Sequence, residues 1–305
     1  MILFAHMDAH IPHGPPEFAA YRDEPLSQRP AGSSGKRGRC ELVFHVRQGK
    51  THLQQSFVSH PFHFTHPWHL DPVLPDMAVI YVQTPGGGLI QGDRATLRFT
   101  LDPSARVHIT TQAAEKIHAM TANCALQHVS FTLAADAYAE YCPEPVILFP
   151  QSRFAQTLHV ELDARAWFFG KELFLMPEQM ARFEAFANGL TARDTTTGKL
   201  LLRERSLALP VQQGLDGPGI LAGQRVWGQA VLIGPQVSPA MVRDLVGLMA
   251  TQPGVMCGVT GLPRERGIAV KVLAARVPAA RQALHAAWNF LRLQWLQAPA
   301  PQFPK

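Results

Sequence analysis

The amino-acid sequence predicts a mainly β protein: a large multi-stranded antiparallel β-sandwich or β-helix-like structure, with two helices packed on it near the C-terminus. Three observations carry this expectation. Short runs in which apolar and polar residues alternate recur along most of the chain, which is the period of a half-buried strand. Turn signals rich in Gly, Pro, Asn and Asp separate these runs at near-regular spacing. Beyond about Ser238 the apolar spacing changes to three and four, the period of one helix face.

Residues 1–38 mix Pro, Gly, Ser, His and charge without a period and read as a disordered leader. Order begins near Cys40. Leu42, Phe44 and Val46 mark a strand, Arg47-Gln48-Gly49-Lys50 a turn, and Thr51 to Val58 the returning arm of a hairpin. Ala78 to Val82 is a short β-branched run, and Ala95, Leu97, Phe99 and Leu101 alternate after it. Asp102-Pro103-Ser104-Ala105 turns the chain into a strand at Val107 and Ile109. Ala125, Gln127, Val129, Phe131 and Leu133 alternate next, followed by a turn at Ala134-Ala135-Asp136-Ala137. Phe154, Gln156, Leu158, Val160 and Leu162 repeat the pattern, and Trp167-Phe168-Phe169 follows another Asp-centred turn. From Lys171 to Asn188 the residues Phe174, Met176, Met180, Phe183 and Phe186 fit either a short helix or irregular covering. Leu200 to Leu209, Arg225 to Ile233 and Gly267 to Leu273 read as strands. Ser238-Pro239 opens a helix with Val242, Leu245, Val246 and Met249 on its apolar face, Ser serving as cap and Pro as first helical residue. Pro278 opens a second, striped by Leu284, Trp288, Leu291 and Trp295, and residues 299–305 form a Pro-rich tail.

The 305 residues suffice for a sizeable core. Hydrophobic residues make up 47% and charged residues only 17%, a balance that suits a surface partly covered by partners. The net charge of +5 is scattered and accompanies no nucleic-acid motif, so no nucleic-acid partner is expected. Cys40, Cys124, Cys142 and Cys257 are far apart with no Cys-x-x-Cys, which suits a reducing compartment; a cytoplasmic, non-membrane protein is the expectation.

The stretch Pro85-Gly86-Gly87-Gly88 … Gly92-Asp93-Arg94 lies between two strands. A phosphate loop needs a helix after its glycines and a Lys-Ser/Thr pair, and neither follows here, so the stretch reads as a structural β-loop. His60, His63, His66 and His69 recur every third residue. Imidazoles suit nickel or zinc, yet Pro61 and Pro67 interrupt the run and extended chain does not align four rings, so a loop of hydrogen-bonded histidines competes with a metal-binding module. Asp93, Glu140, Glu144, Glu172 and Glu184 are the carboxylates available for polar work, and Glu140 and Glu144 flank Cys142 in an apolar, Pro-bounded segment.

The order of these motifs resembles a known family. Pro85-Gly86-Gly87-Gly88 … Gly92-Asp93, then Thr110-Thr111-Gln112-Ala113 … Lys116-Ile117, then Glu140 … Pro143-Glu144-Pro145-Val146-Ile147 and the late helix with Trp288 are similar to the urease accessory protein D (UreD, in some organisms UreH) family. The resemblance spans about residues 40 to 296 and implies a single domain over 39–298. It implies a nickel-insertion chaperone for urease maturation and not an enzyme. Such proteins bind the urease apoprotein and an F-type accessory protein, which recruits a G-type GTPase, and are thought to conduct nickel through a water-filled passage. No tightly bound cofactor is implied, only transient Ni²⁺. Asp93, Thr111, Glu140 and Glu144 are then candidates for lining such a route, since labile oxygen ligands let an ion move on. The alternative is a β-sandwich hydrolase or sugar-active enzyme, with acids such as Asp93 and Glu140 facing each other across a cleft at about 5 to 10 Å.

Overall fold

The computed structural model describes residues 14–25, 35–179, 182–210, 212 and 214–303. The N-terminal hairpin forms as expected: β1 (Arg37–Arg47) and β2 (Lys50–Val58) pair antiparallel, with Gln48 and Gly49 both at positive φ in the connecting turn. After the two-residue β3 (His63–Phe64), the chain winds. β4 (Ala78–Gln83), β6 (Arg106–Thr111), β9 (Tyr138–Tyr141) and β12 (Trp167–Leu175) stack in one sheet. β5 (Arg94–Leu101), β8 (Ala125–Leu133), β11 (Arg153–Leu162) and β13 (Ala185–Asp194) stack in the facing sheet. Within each set the neighbours are parallel. The core of the molecule is therefore a β-coil in which successive turns add one strand to each sheet.

The mainly β, β-helix-like arrangement is the expected one, and within the coil parallel pairing replaces the antiparallel pairing expected from the sequence. Asp102–Ala105, Ala134–Ala137 and Asp163–Ala166 look like hairpin turns, but each carries the chain from one sheet to the other. They stack on one another instead of closing hairpins: Ser104 N–H donates to Ala135 O (3.0 Å), Tyr138 N–H to Ala105 O (2.9 Å) and Trp167 N–H to Ala137 O (2.9 Å). Ser104 and Asp136 adopt the left-handed backbone that such tight corners use. Period-two alternation is the same in both pairing modes, and only the partner distinguishes them. Antiparallel pairing is kept for the ends. β14 (Leu200–Ala208) closes the β13 edge, and β15 (Val226–Ile233), β17 (Gly267–Ala274) and β16 (Val255–Gly261) extend the β12 edge.

In-register stacking makes rows. Leu101, Leu133 and Leu162 align, as do Phe99, Phe131 and Val160, and all six are buried between the sheets. The Phe99 and Phe131 rings lie 4.8 Å apart, with Phe168 from the facing sheet 5.1 Å from Phe131. In the 171–188 segment Phe174 lies in β12 and Phe186 in β13, and Met176 and Phe183 are buried in the irregular connection between them; Met180 lies outside the described residues.

Two helices cover the outer face of the β12–β15–β17 sheet. α2 (Pro239–Ala250) is capped by the Ser238 hydroxyl, which accepts from Met241 N–H at 3.2 Å. It buries Leu245 and Met249, whereas Val246, expected on that face, is exposed. α3 (Val277–Leu296) buries Leu284, Trp288 and Leu291, and Trp295 packs on Trp167 at 4.3 Å.

The leader differs from its expectation over its described part. Residues 16–22 form a short helical turn, α1 being Ala19–Arg22. Phe18, fully buried, seats among Cys124, Leu126, Ala155 and Ala187 on the outside of the β8–β11–β13 sheet. Glu24 accepts from Asn123 N–H and Arg153 Nη1, both at 2.7 Å. Residues 1–13 and 26–34, which the same reading covers, lie outside the described residues.

Two measurements test this packing. Phe18→Ala should lower unfolding free energy by roughly 3 kcal/mol in chemical denaturation, the cost of a large core truncation; a change under about 1 kcal/mol would show that the leader does not dock. On the same face His128 Nδ1 pairs with Thr157 Oγ1 at 2.8 Å, and burial, with His159 and Arg98 nearby, pushes its imidazole down to about 4. The unfolded chain then takes up a proton near pH 6.5 that the folded chain refuses until about 4, so this stability is present above that window and lost as pH falls through it. Between pH 7 and 5 the loss should be about 1–2 kcal/mol, and His128→Gln should show a correspondingly shallower dependence.

Candidate functional site

Between the two sheets the apolar filling is interrupted by one polar row. Gln127, Gln156 and Asn188 occupy the same inward register position on β8, β11 and β13. Across from them, Glu172 on β12 pairs in register with Gln229 on β15, which pairs with Lys271 on β17. The side chains join into one file. Gln127 Nε2 donates to Gln156 Oε1 (3.2 Å), and Gln156 Nε2 to Glu172 Oε1. Gln229 Nε2 donates to Glu172 Oε2 (2.6 Å), Lys271 Nζ to Gln229 Oε1 (2.5 Å) and also to Glu204 on β14. Gln156, Glu172, Asn188 and Gln229 are each at least 96% buried.

Burial pushes the Glu172 carboxyl up, and hydrogen bonds from Gln229 and Asn188, with the nearby Lys271 charge, oppose that rise. The Asn188 side-chain oxygen is buried without a partner, an unusual expense in a core. At its other end the file opens into a narrow cavity of about 30 Å³ lined by Thr84, Thr111, Glu115, Gln127, Glu144 and Glu172, room for a water or two. The Thr84 hydroxyl donates to Glu115 (3.2 Å), whose carboxyl burial raises. Glu144 and Glu172 also border a larger cavity of about 500 Å³, between the outer sheet face, α3 and the tail residues 301–303.

Of the residues singled out in the sequence, Thr111 and Glu144 line the narrow cavity. The Thr111 hydroxyl accepts from Glu144 N–H (2.9 Å), and the Glu144 carboxylate meets Arg281 at 2.6 Å. Asp93 does not reach it. Its two oxygens accept from Lys36 N–H (2.8 Å), Lys36 Nζ (3.2 Å) and Ile90 N–H (3.0 Å), fastening the start of β1 to the glycine loop. That loop is structural: Pro85, Gly86 and Gly87 form its exposed tip, and Gly88, at φ 128°, lies so close to Lys116 O that a Cβ would sit 2.3 Å from it. Leu89 then bridges to Ile117 in β7 (Glu115–Ile117), a short third strip completed by β10 (Val146–Leu148). Gly92 N–H donates to Cys124 O, Gln112 N–H to Val82 O and the Thr110 hydroxyl to Cys142 O, while the Lys116 side chain is exposed.

Glu140 lies on the opposite face of its sheet, fully buried under α3. Its carboxylate accepts from Tyr138 Oη (2.5 Å), His108 Nδ1 (2.6 Å), Trp288 Nε1 (3.0 Å) and Arg292 Nη1 (3.1 Å), and Arg292 Nη2 continues to Asp71 (2.5 Å). Burial alone would raise Glu140. The His108 hydrogen bond and the Arg292 guanidinium outweigh it and hold the carboxyl below its usual range. Both oxygens are committed, so Glu140 locks α3 to the sheet and has no face left for a passing ion. The histidines stay apart as well. His60, His63 and His66 are exposed, and His69 Nε2 bonds Thr51 O at 3.0 Å. Among the described residues no three His, Cys, Asp or Glu side chains converge as a metal site.

The reading from sequence missed Gln156, Asn188, Gln229 and Lys271. A signal existed: Gln127 and Gln156 stand in the apolar phase of their alternating runs, where a polar side chain requires buried partners.

Known proteins supply the context. A model of the family described as UreD urease accessory protein matches residues 36–304. The chain belongs to the UreD family. It is 33% identical over 298 residues to a urease accessory protein UreD of Haloarcula marismortui, covering 97% of this chain and 98% of that one. It is 28% identical over 294 residues to the UreD of Photorhabdus laumondii (94% and 91% covered), and 28% identical over 293 residues to a UreD 2 of Brucella canis (94% and 96%). Membership in the UreD family supports a role in urease maturation. No helix among the described residues is long and apolar enough to cross a membrane.

With Glu140 holding α3 to the sheet, Glu140→Ala should cost about 3–5 kcal/mol of stability, the penalty for orphaning buried partners of a charge. Chemical denaturation measures it, and a loss under about 1 kcal/mol would remove that role.

Proposed function

We propose that this chain is a non-catalytic chaperone of urease maturation, working in the cytoplasm as a scaffold and as a nickel conduit. On this reading it joins the urease apoprotein to an F-type accessory protein, through which a G-type GTPase is recruited. Ni²⁺ is the cargo and moves through the interior along the polar row. The observation that carries the reading is the continuous file from the Thr111–Glu144 cavity through Gln156, Glu172 and Gln229 to Lys271. A β-core has no packing reason to bury three amides and a carboxylate in line behind a half-exposed lysine. Oxygen donors without thiolate bind a divalent ion weakly enough to release it. The hydrolase reading finds less support: Asp93 is bound to Lys36 and Ile90 at the glycine loop, and Glu140 is buried under α3 with both oxygens engaged, so neither offers a free carboxylate to a cleft.

The test is urease activation in cells co-expressing the apoprotein and the F- and G-type proteins. Thr111→Val and Glu172→Gln remove an oxygen donor and a charge from the route while approximately keeping volume. Each should lower activation roughly tenfold or more, the scale on which groups around a metal act, while pull-down still recovers the complex. Normal activation by both variants would sink the conduit, and loss of the complex would assign the effect to the scaffold.

A further inference from the structure

The polar file ends at a lysine, which is unexpected in a path for cations. Lys271 projects from the inward face of β17, donates to the Gln229 side-chain oxygen at 2.5 Å and pairs with Glu204. Its ammonium also lies 5.3 Å above the Trp227 ring, so an amide oxygen, a carboxylate and a π face all favour positive charge at this point. The position is a mouth. Lys271 and Glu204 retain 35% and 26% side-chain exposure and line an open cavity of about 380 Å³ between β14 and β16–β17, where the two sheets end. Inward of the lysine the file continues through Gln229 and Glu172 to Gln156, with the unpartnered Asn188 oxygen in the same row as Gln156.

We propose that Lys271 is a tethered cation that plugs this end of the file, its ammonium holding the oxygen site between Gln229 and Glu204 that a transiting divalent cation would take. The Glu172–Gln229–Asn188 oxygens are a latent cation site, kept weak by the lysine and opened when its side chain swings toward the mouth. This rests on the conduit reading and adds direction to it. An ion entering by the Thr111–Glu144 cavity meets a fixed positive charge at the far end and stays inside until that charge moves. A lysine suits the role because its flexible stem can carry the charge away from the oxygens without disturbing the strand. The purely structural reading, a lysine that satisfies Gln229 and Glu204, predicts no change in metal affinity once Lys271 is replaced by a neutral residue.

The experiment is Ni²⁺ binding by equilibrium dialysis on the purified full chain. Lys271→Gln should bind Ni²⁺ at least about tenfold more tightly than wild type, because a full charge beside the site is gone. Lys271→Arg, which keeps the charge, should stay near wild type, and the Lys271→Gln/Glu172→Gln pair should lose the gain. Lys271→Met gives the same reading if the Gln variant does not fold. Unchanged affinity in a folded neutral variant, or a gain that survives loss of Glu172, overturns the plug. These outcomes are independent of urease activation. A failed plug with Thr111→Val and Glu172→Gln still impairing activation leaves the conduit standing, and a confirmed latent site with normal activation in those variants removes the conduit alone.

Discussion

In a parallel β-coil each residue sits directly beside its counterpart one turn earlier, and this registry governs the interior. An inward position filled by Leu or Phe on one turn must be filled compatibly on the next, because the side chains stack within one row. Leu101, Leu133 and Leu162 obey that demand at the corner end of the strands. The same rule makes polarity contagious. Once Gln127 faces inward, its amide needs a partner in an apolar space, and the nearest positions are those of Gln156 and Asn188 in its own row and Glu172 opposite. A file of hydrogen-bonded groups is the least costly way for a coil to hold polar side chains inside. It also lays a continuous polar line through the core.

The outer face of the other sheet solves a different problem. Glu140, Arg292 and Asp71 bring charge into a fully buried layer, and complete pairing keeps it there. The two polar systems differ in one respect that decides their chemistry. Glu140 has every oxygen engaged by a strong donor, and so it fixes α3. The interior file instead holds its Glu172 carboxylate with neutral amides and leaves the Asn188 side-chain oxygen without a partner.

Much of the fold was legible in the residues. The alternating runs at Ala95–Leu101, Ala125–Leu133 and Phe154–Leu162 are strands, the Ser238-Pro239 start opens a helix, and the glycine loop between two strands is structural. Of the candidate site, Thr111 and Glu144 were found through the family resemblance, and both line the narrow cavity at the end of the polar file. Asp93 and Glu140 carried the same motif signal, yet one fastens a loop and the other a helix. A motif marks a residue that the family's fold or work needs, and it does not separate the two.

Local sequence by itself determined which segments extend and which coil, because side-chain period and turn chemistry act within a few residues. It also determined that charge would be scarce and cysteines scattered. Only the tertiary structure decided that the strands run parallel, that four-residue turns change sheets, and that the leader's Phe18 finds a seat on Cys124 and Ala155. It alone brought Glu172, Gln229, Lys271 and Glu204 together from four strands. Pairing partners lie a full coil turn apart or more in the chain, and the free energy that selects them comes from burying whole sheet faces, a quantity no short stretch of sequence carries.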